Sequence, residues 1–281
     1  MHEYHFDLVG LHTVLKTPES VTISKSLQPF LCAPQDADCT ISVQHCTTLP
    51  PMGDTGYWSG PDCYENNEKT FRIFHAHRVH GMPFAVTQLS KDGQVEILTL
   101  QEDLSCFADT AGIFNHIGME NLLLQNQGLL LHASLIEYVG KAIVFTGPSG
   151  IGKSTQAKLW QTCENATILN GDRAALRLAD GNWIAYGSPY AGTSGIYRRG
   201  NAPLAAIVVL EQAEENSLQT LSAVQALRRI YPELSVHRWD CAFVQQATDL
   251  CLQMLSRTPV LLLKCRPDVS AVALLKKGLS L

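Results

Sequence analysis

The apolar positions in the second half of the chain switch between unbroken runs and helical spacing. Unbroken runs predict buried strands, whereas apolar residues three and four positions apart predict helices. Strands are predicted at 128–139, 142–146, 166–170, 173–178, 182–186, 204–210 and 259–264. Helices are predicted directly after the second of these strands and at 218–230, 239–256 and 268–277. This mixture is typical of an α/β domain.

The first two predicted strands of this half are joined by very few residues. Gly140-Lys141 is the whole connection between them. A two-residue connection makes the strands an antiparallel hairpin, because parallel neighbours need a long crossover. The predicted fold class is therefore an α/β core with a mixed, partly antiparallel sheet.

The first half of the chain has a different pattern. Proline and glycine break up residues 1–70, which predicts short strands and long loops. Residues 71–77, 83–89 and 94–100 predict a meander, with Lys91-Asp92-Gly93 as its second turn, and 102–125 predicts one helix. We expect a β-rich N-terminal domain with a linking helix at 1–126, which recognises a substrate or partner, and a catalytic domain at 127–281.

Composition excludes several classes of protein. The 281 residues carry a net charge of −5 without a basic block, which argues against nucleic acid as the main partner. No apolar run reaches the length of a membrane span, and the N-terminus lacks the build of a signal peptide. These features predict a cytoplasmic protein without a membrane partner.

The spacing of cysteines and histidines bears on disulfides and on metal binding. None of the nine cysteines falls in a C-x-x-C pair, so no disulfide framework is predicted. Cys32, Cys39 and Cys46 recur every seven residues beside His45, and His75, His77 and His80 cluster in the meander. Both groups have a metal-binding alternative, but incidental cysteines and half-exposed histidines are favoured.

One segment carries a specific chemical signal. Gly147-Pro148-Ser149-Gly150-Ile151-Gly152-Lys153-Ser154-Thr155 fills every fixed position of G-x-x-x-x-G-K-[ST] between a predicted strand and helix. Such a loop turns its backbone N–H groups toward phosphate oxygens, its lysine reaches the β- and γ-phosphates, and its serine hydroxyl binds Mg²⁺. The alternative is an incidental glycine-rich turn, which would not require the Lys-Ser pair.

Two further stretches add candidate residues. Asp172 follows a short predicted strand, nineteen residues after Lys153, where a carboxylate could bind magnesium or act as a base; a simple turn residue is the alternative. The small-residue loop 187–200 ends in Arg198 and Arg199, which suit phosphate or carboxylate contact, although a solvated loop would look the same.

These motifs resemble those of a known family. Leu131-His132-Ala133-Ser134, the strand hairpin, the loop from Thr146 to Ser154 and Leu169-Asn170-Gly171-Asp172 resemble the core of HPr kinase/phosphorylase. They are more similar still to the shorter kinases of that superfamily found beside peptide-modification genes, such as lasso-peptide serine kinases. ATP-dependent phosphoenolpyruvate carboxykinase shares this core. The resemblance covers about residues 128–281.

The resemblance implies roles for particular residues. Residues 147–155 would hold the triphosphate of ATP, Ser154 and Asp172 would bind Mg²⁺, and His132 would lie beside the transferred phosphoryl group. Asp172 is also a candidate base. HPr kinase has a pair of acids where this chain has Gly171-Asp172, so the division of metal and base roles stays open. The C-terminal region lacks the signature of true HPr kinases, so HPr itself is not the expected substrate.

The sequence therefore predicts a Mg-ATP-dependent kinase that transfers the γ-phosphoryl group to a hydroxyl, most simply a serine of a peptide or protein. Lys153, Asp172, His132 and Arg199 are the predicted catalytic residues, with Arg198 as the alternative arginine. A small-molecule acceptor and a non-catalytic nucleotide sensor are the alternatives, and a homo-oligomer is left open.

Overall fold

The structure is a computed structural model that describes residues 1–50, 56–57, 63–65, 69–75, 83–90, 93–238 and 240–281. The chain divides into two compact units, Met1–Gln125 and Asn126–Leu281. Each unit has its own sheet and its own buried core. The roles predicted for the two parts of the chain stay predictions.

The first unit is built on an eight-stranded mixed sheet in the order β1-β2-β3-β8-β7-β6-β5-β4. Its strands are β1 (His2–Leu8), β2 (Leu11–Thr17), β3 (Cys39–Cys46), β4 (Gly56–Tyr57), β5 (Cys63–Glu65), β6 (Lys69–His75), β7 (Pro83–Ser90) and β8 (Gln94–Leu100). The β2–β3 and β3–β8 pairs are parallel, and the other pairs are antiparallel. Buried and partly exposed residues alternate along β8, so one face of the strand supports the core.

The predicted meander is confirmed where the structure describes it. β6, β7 and β8 are consecutive antiparallel neighbours. Lys91 and Asp92 of the predicted turn, and His77 and His80 of the histidine cluster, lie outside the described residues. The metal-binding alternative for this histidine cluster therefore lies outside the described residues.

The single helix predicted at 102–125 is wrong. Three short pieces replace it: a 3-10 helix at Gln101–Phe107, α1 (Thr110–Phe114) and α2 (Met119–Gln125). The Asp109 carboxylate caps α1 by accepting from the N–H of Gly112, and Gly118 has φ +66°. A cap and a left-handed glycine each interrupt a helix, although the apolar spacing continues through both.

The second unit contains a second mixed sheet. Its strands are β9 (Gly128–Tyr138), β10 (Lys141–Thr146), β11 (Thr167–Asn170), β12 (Arg173–Ala179), β13 (Asn182–Tyr186), β14 (Asn201–Gln212), β15 (Ser217–Thr220) and β16 (Val260–Cys265). β10 pairs antiparallel with β9 and parallel with β14, which confirms the predicted hairpin and the mixed sheet. The turn between β9 and β10 is Val139-Gly140, one residue earlier than predicted.

Long strands connect the two parts of this sheet. The first half of β9 pairs with β12, and its second half pairs with β10 and β11. β14 likewise pairs first with β13 and then with β10 and β16. The circuit β10-β9-β12-β13-β14 is therefore closed. Ala133, the partner of Thr146 at the end of β10, donates its N–H to the Asp172 carbonyl at 2.9 Å, so the end of β10 lies close to the β11–β12 turn.

Helices pack beside this sheet. They are α3 (Lys153–Glu164), α4 (Ala223–Ile230), α5 (Cys241–Leu255) and α6 (Val269–Leu279). Trp160 of α3, Phe145 of β10, Leu263 of β16 and Leu275 of α6 belong to one buried cluster, and all four are fully buried. This core holds α3, and with it the glycine-rich loop, against the end of β10.

The helix predicted at 218–230 is partly wrong. Ser217–Thr220 forms β15, which pairs antiparallel with β16, and α4 begins only after Ser222. Ser222 and Gln225 make a reciprocal capping box at that start. Sheet pairing therefore decides the conformation of residues whose apolar spacing also fits a helix. Among the described helices, none combines the length and apolar character needed to cross a membrane.

Candidate active site

The glycine-rich loop lies between the end of β10 and the first residue of α3. Gly147 and Gly152 have φ +137° and +114°, values that residues with a Cβ rarely adopt. The backbone of Leu210, near the end of β14, lies 3.4 Å from where a Cβ of Gly147 would be. Glycine at these positions lets the chain turn tightly from the sheet into the helix.

The N-terminus of α3 is free to interact with an anion. Its N-cap is Gly152, so no side chain caps the first N–H groups of this twelve-residue helix. Pro148, Ser149 and Gly150 are exposed, as are Ser154 and Thr155 in the first turn. The partial positive charge of the helix end therefore faces an open loop, which is the arrangement of phosphate-binding loops.

Lys153 and Ser154 extend from this helix start. The Lys153 ammonium group donates to the carbonyl oxygens of Gly147 at 2.7 Å and Pro148 at 3.1 Å. Burial lowers the pKa of Lys153, and the carboxylates of Glu233 and Asp172 oppose this effect. The Ser154 hydroxyl lies 3.5 Å from the Gly171 carbonyl, so the loop and the β11–β12 turn meet at one site.

A buried amide sets the position of Asp172. The side-chain oxygen of Asn170, at the end of β11, accepts from the N–H groups of Asp172 at 2.8 Å and Arg173 at 2.7 Å. Its NH₂ group donates to the carbonyls of Ser188 at 2.9 Å and Tyr190 at 3.0 Å. Asn170 therefore fixes both the turn that carries Asp172 and the loop beside it.

The loop after β13 packs directly on Asp172. Gly192 has φ +51°, and a Cβ there would lie 2.4 Å from the carboxyl carbon of Asp172. The segment Gly192–Ser194 forms a short 3-10 helix at this contact. Only glycine lets the backbone approach the carboxylate so closely.

His132 joins the site from β9. Its Nε2 lies 3.6 Å from an oxygen of Asp172, and its Nδ1 lies 3.1 Å from an oxygen of Glu233. The Arg173 guanidinium lies 3.5 Å from the other oxygen of Asp172. Glu233 is the most buried of these side chains, with 13% of its side chain exposed against 30% for His132. The site therefore contains two carboxylates, one imidazole and two cationic groups, Lys153 and Arg173.

The sequence did not single out three of these residues. Asn170 and Arg173 flank Asp172, so their closeness to the site follows from the motif already identified. Glu233 is 101 residues away from His132, in the 3-10 turn Tyr231–Glu233 between α4 and α5. No local pattern marks Glu233, because its position beside His132 comes from tertiary packing.

The two arginines of the 187–200 loop are in a different situation. Arg198 and Arg199 are both exposed. The Arg198 N–H donates to the carbonyl of Leu169, and Tyr197 makes an isolated bridge with Asn170, so the end of the loop lies beside β11. A catalytic role for Arg199 stays a prediction.

No three His, Cys, Asp or Glu side chains among the described residues are arranged to hold a metal ion by themselves. The Cys39 thiol donates to the carbonyl of Gly93, and burial raises its pKa to about 12. The metal alternative for the cysteine series therefore has no support, whereas Ser154 and Asp172 offer two oxygen ligands rather than a complete site.

Comparisons with known proteins give a partial match. The model of a family described as SynChlorMet cassette protein ScmC matches residues 118–256, just under half of the chain. Among solved structures, the Hpr(Ser) kinase/phosphatase from Coxiella burnetii is 13% identical, with 53% of this chain and 95% of that chain covered and a TM-score of 0.33. A likeness of that size establishes neither a shared mechanism nor a shared substrate. No curated protein matches the chain in sequence.

Proposed function

We propose that this protein is a Mg-ATP-dependent kinase that transfers the γ-phosphoryl group to a hydroxyl, that of a serine in a peptide or protein. One observation carries the proposal. The glycine-rich loop, with Lys153 and Ser154, meets the Asp172–His132 pair at a single site. Phosphate-binding groups beside groups that can handle a proton are what phosphoryl transfer requires of a protein.

Residues 147–155 would bind the triphosphate. This role is supported by the uncapped start of α3 and by the exposed loop before it. Lys153 now donates to two carbonyls of its own loop, and a bound phosphate would offer it stronger, charged acceptors. Its ammonium group would then neutralise charge as the phosphoryl group moves.

Ser154 and Asp172 would hold Mg²⁺. Their hydroxyl and carboxylate oxygens are the hard ligands that this ion prefers, and Mg²⁺ usually takes only one or two protein ligands besides water and phosphate. The bound ion would neutralise charge on the phosphates.

The acceptor would approach from the side of His132 and Asp172. Both side chains are about one-third exposed, so a hydroxyl can reach them. We assign the recognition of a peptide or protein acceptor to the N-terminal β-rich unit. A homo-oligomer is compatible with this assignment.

The experiment is transfer of label from γ-³²P-ATP in a cell lysate, with wild-type protein and an Asp172→Asn variant. We expect label on a protein or peptide with wild type, and a loss of at least about a hundredfold in the variant, because the amide removes the negative charge that would hold Mg²⁺ at the transferred phosphoryl group. ATP binding should be largely retained, because the phosphate loop at 147–155 is unchanged. Asp180→Asn is the matched control, since Asp180 is exposed at the β12–β13 turn with φ +49°, which asparagine tolerates.

Each result separates the alternatives. Label on a small molecule would replace the protein acceptor with a small one. Label transfer at the wild-type rate by Asp172→Asn would remove Asp172 from the mechanism. Tight ATP binding without transfer to any component would favour a nucleotide sensor and contradict the kinase.

A further inference from the structure

Glu233 reaches the site through an extra strand-like segment beside β9. Leu131 and Leu234 form an isolated antiparallel bridge, and the N–H of Ser235 donates to the carbonyl of Leu130 at 2.9 Å. In an antiparallel register, the neighbour after Leu131 lies opposite the neighbour before Leu234. The backbone therefore places His132 opposite Glu233.

The same register holds on the other side of β9. Arg173 of β12 is the cross-strand partner of His132, and its guanidinium donates to the Ser235 hydroxyl at 2.8 Å. Directly opposed residues share a face of the sheet. Arg173, His132 and Glu233 are thus presented together by three adjacent segments, so the contact between His132 and Glu233 is built into the fold.

This contact decides which nitrogen of His132 carries hydrogen. An ionised carboxylate only accepts hydrogen bonds, so the Nδ1 that lies 3.1 Å from Glu233 must be the donor. In the neutral ring, Nε2 is then left without a proton. Nε2 lies 3.6 Å from Asp172, which is longer than a hydrogen bond, so in the neutral ring Nε2 can accept from an incoming donor.

We propose that Glu233 is a positioning residue, which holds His132 with its proton on Nδ1 and so presents Nε2 to accept a hydrogen bond from the hydroxyl of the phosphoryl acceptor. This inference rests on the proposed kinase function. The hydroxyl, aligned by Nε2, would then attack the γ-phosphorus. Its oxygen would form a bond to phosphorus as the bond from phosphorus to the oxygen of the leaving ADP breaks, and its proton would pass to Nε2. An acceptor carboxylate would bring no hydrogen and would meet the negative charges of Asp172 and Glu233. The arrangement therefore selects a hydroxyl acceptor.

The first measurement needs no turnover. Nitrogen-15 NMR of the full chain reports which ring nitrogen of each neutral histidine carries hydrogen, and the His132 signal among the ten histidines is identified by its loss in His132→Gln. We expect hydrogen on Nδ1 in wild type and a mixture in Glu233→Gln, because the glutamine side chain can donate as well as accept. Hydrogen on Nε2 in wild type would overturn the proposal.

The second measurement uses Mg-ATP with water as the simplest hydroxyl acceptor. Glu233→Gln should lower kcat for phosphate release roughly tenfold to a hundredfold, as expected when a partner that orients a histidine is removed, and leave KM for ATP unchanged. Glu233→Asp keeps the charge on a shorter side chain and should retain more activity than the glutamine variant. Glu215→Gln is the control, because Glu215 is exposed and outside the site.

Failure of the kinase proposal would look different from failure of this one. A wild type that transfers no phosphoryl group to water or to any lysate component contradicts the kinase, and the NMR result still decides whether Glu233 sets the tautomer. Wild-type kcat in a folded Glu233→Gln variant would overturn the positioning role, even if the kinase activity is real.

Discussion

The side chain of Asn170 holds two loops of the candidate site in place. Asn170 connects two loops through one buried amide, and its four backbone partners lie between residues 172 and 190. Replacing this buried amide is costly, because each buried donor or acceptor left without a partner destabilises the folded protein by about 1–3 kcal/mol. The position of Asp172 thus depends on the hydrogen bonds of Asn170.

Asp268 shows a similar dependence that can be measured by pH. Its carboxylate caps α6 and accepts hydrogen bonds from the Ser270 hydroxyl and the Asn216 amide. These two hydrogen bonds, with smaller contributions from the Ala271 N–H and Arg266, lower the pKa of Asp268 to about 2. A depressed pKa in the folded state stabilises the protein above the unfolded value and loses that effect as pH falls toward 2. Asp268→Asn should therefore be less stable than wild type at pH 7, and the difference should shrink at pH 2.5.

Urea unfolding at the two pH values checks this prediction. Asp36→Asn is a matched control, because Asp36 is exposed in an irregular segment of the first unit. It should leave the free energy of unfolding close to that of wild type at pH 7. A stability difference for Asp268→Asn that is equal at pH 7 and pH 2.5 would contradict an electrostatic role for the cap.

At the scale of elements, the sequence predicts loops and hairpins that short local patterns specify, but it misses elements that depend on tertiary pairing. The loop at 147–155 and the β9–β10 hairpin follow from glycine positions and a short connection, so the sequence predicts them. The prediction of one helix at 102–125 is wrong because the Asp109 cap and the left-handed Gly118 break the helix, although the apolar spacing continues past both. β15 was missed because its conformation comes from pairing with β16. Glu233 was missed for the same reason, since a bridge to β9 places it.

The loop at Gly192–Ser194 provides a test at this scale. Gly192→Ala would force its Cβ to within 2.4 Å of the Asp172 carboxyl carbon, whereas Gly195→Ala meets no atom within 4 Å. Both glycines have a positive φ, +51° and +64°, so both variants carry the strain of alanine in that region, about 1 kcal/mol. We expect both variants to lose a similar amount of stability through this strain. Only Gly192→Ala should also lose phosphoryl transfer, because only its Cβ would meet Asp172.

Thermal melts and the labelled-ATP assay measure the two effects separately. Equal transfer by both alanine variants would show that the loop does not need to touch Asp172 for activity. Loss of transfer in both would attribute the effect to backbone strain, and the packing explanation would be wrong.

At the scale of the whole molecule, the candidate site belongs to one unit. The phosphate loop, Asp172, His132 and Glu233 all lie within Asn126–Leu281, which has its own sheet and the buried cluster around Trp160. The matched family model also lies mostly in this unit. Nucleotide binding and acceptor recognition can therefore be separated along the chain if the N-terminal unit has the role proposed for it.

A fragment comprising residues 126–281 tests that separation. Because its core is complete within the fragment, we expect it to unfold cooperatively and to bind ATP with the affinity of the full chain. It should no longer transfer label to the protein acceptor, since the unit proposed to recognise that acceptor is missing. Calorimetric titration with ATP, together with the lysate assay, measures both properties.

The same fragment with Lys153→Met is the control for binding through the phosphate loop. Full transfer by the fragment would place acceptor recognition in the second unit, and a non-cooperative melt would show that the first unit is needed for folding.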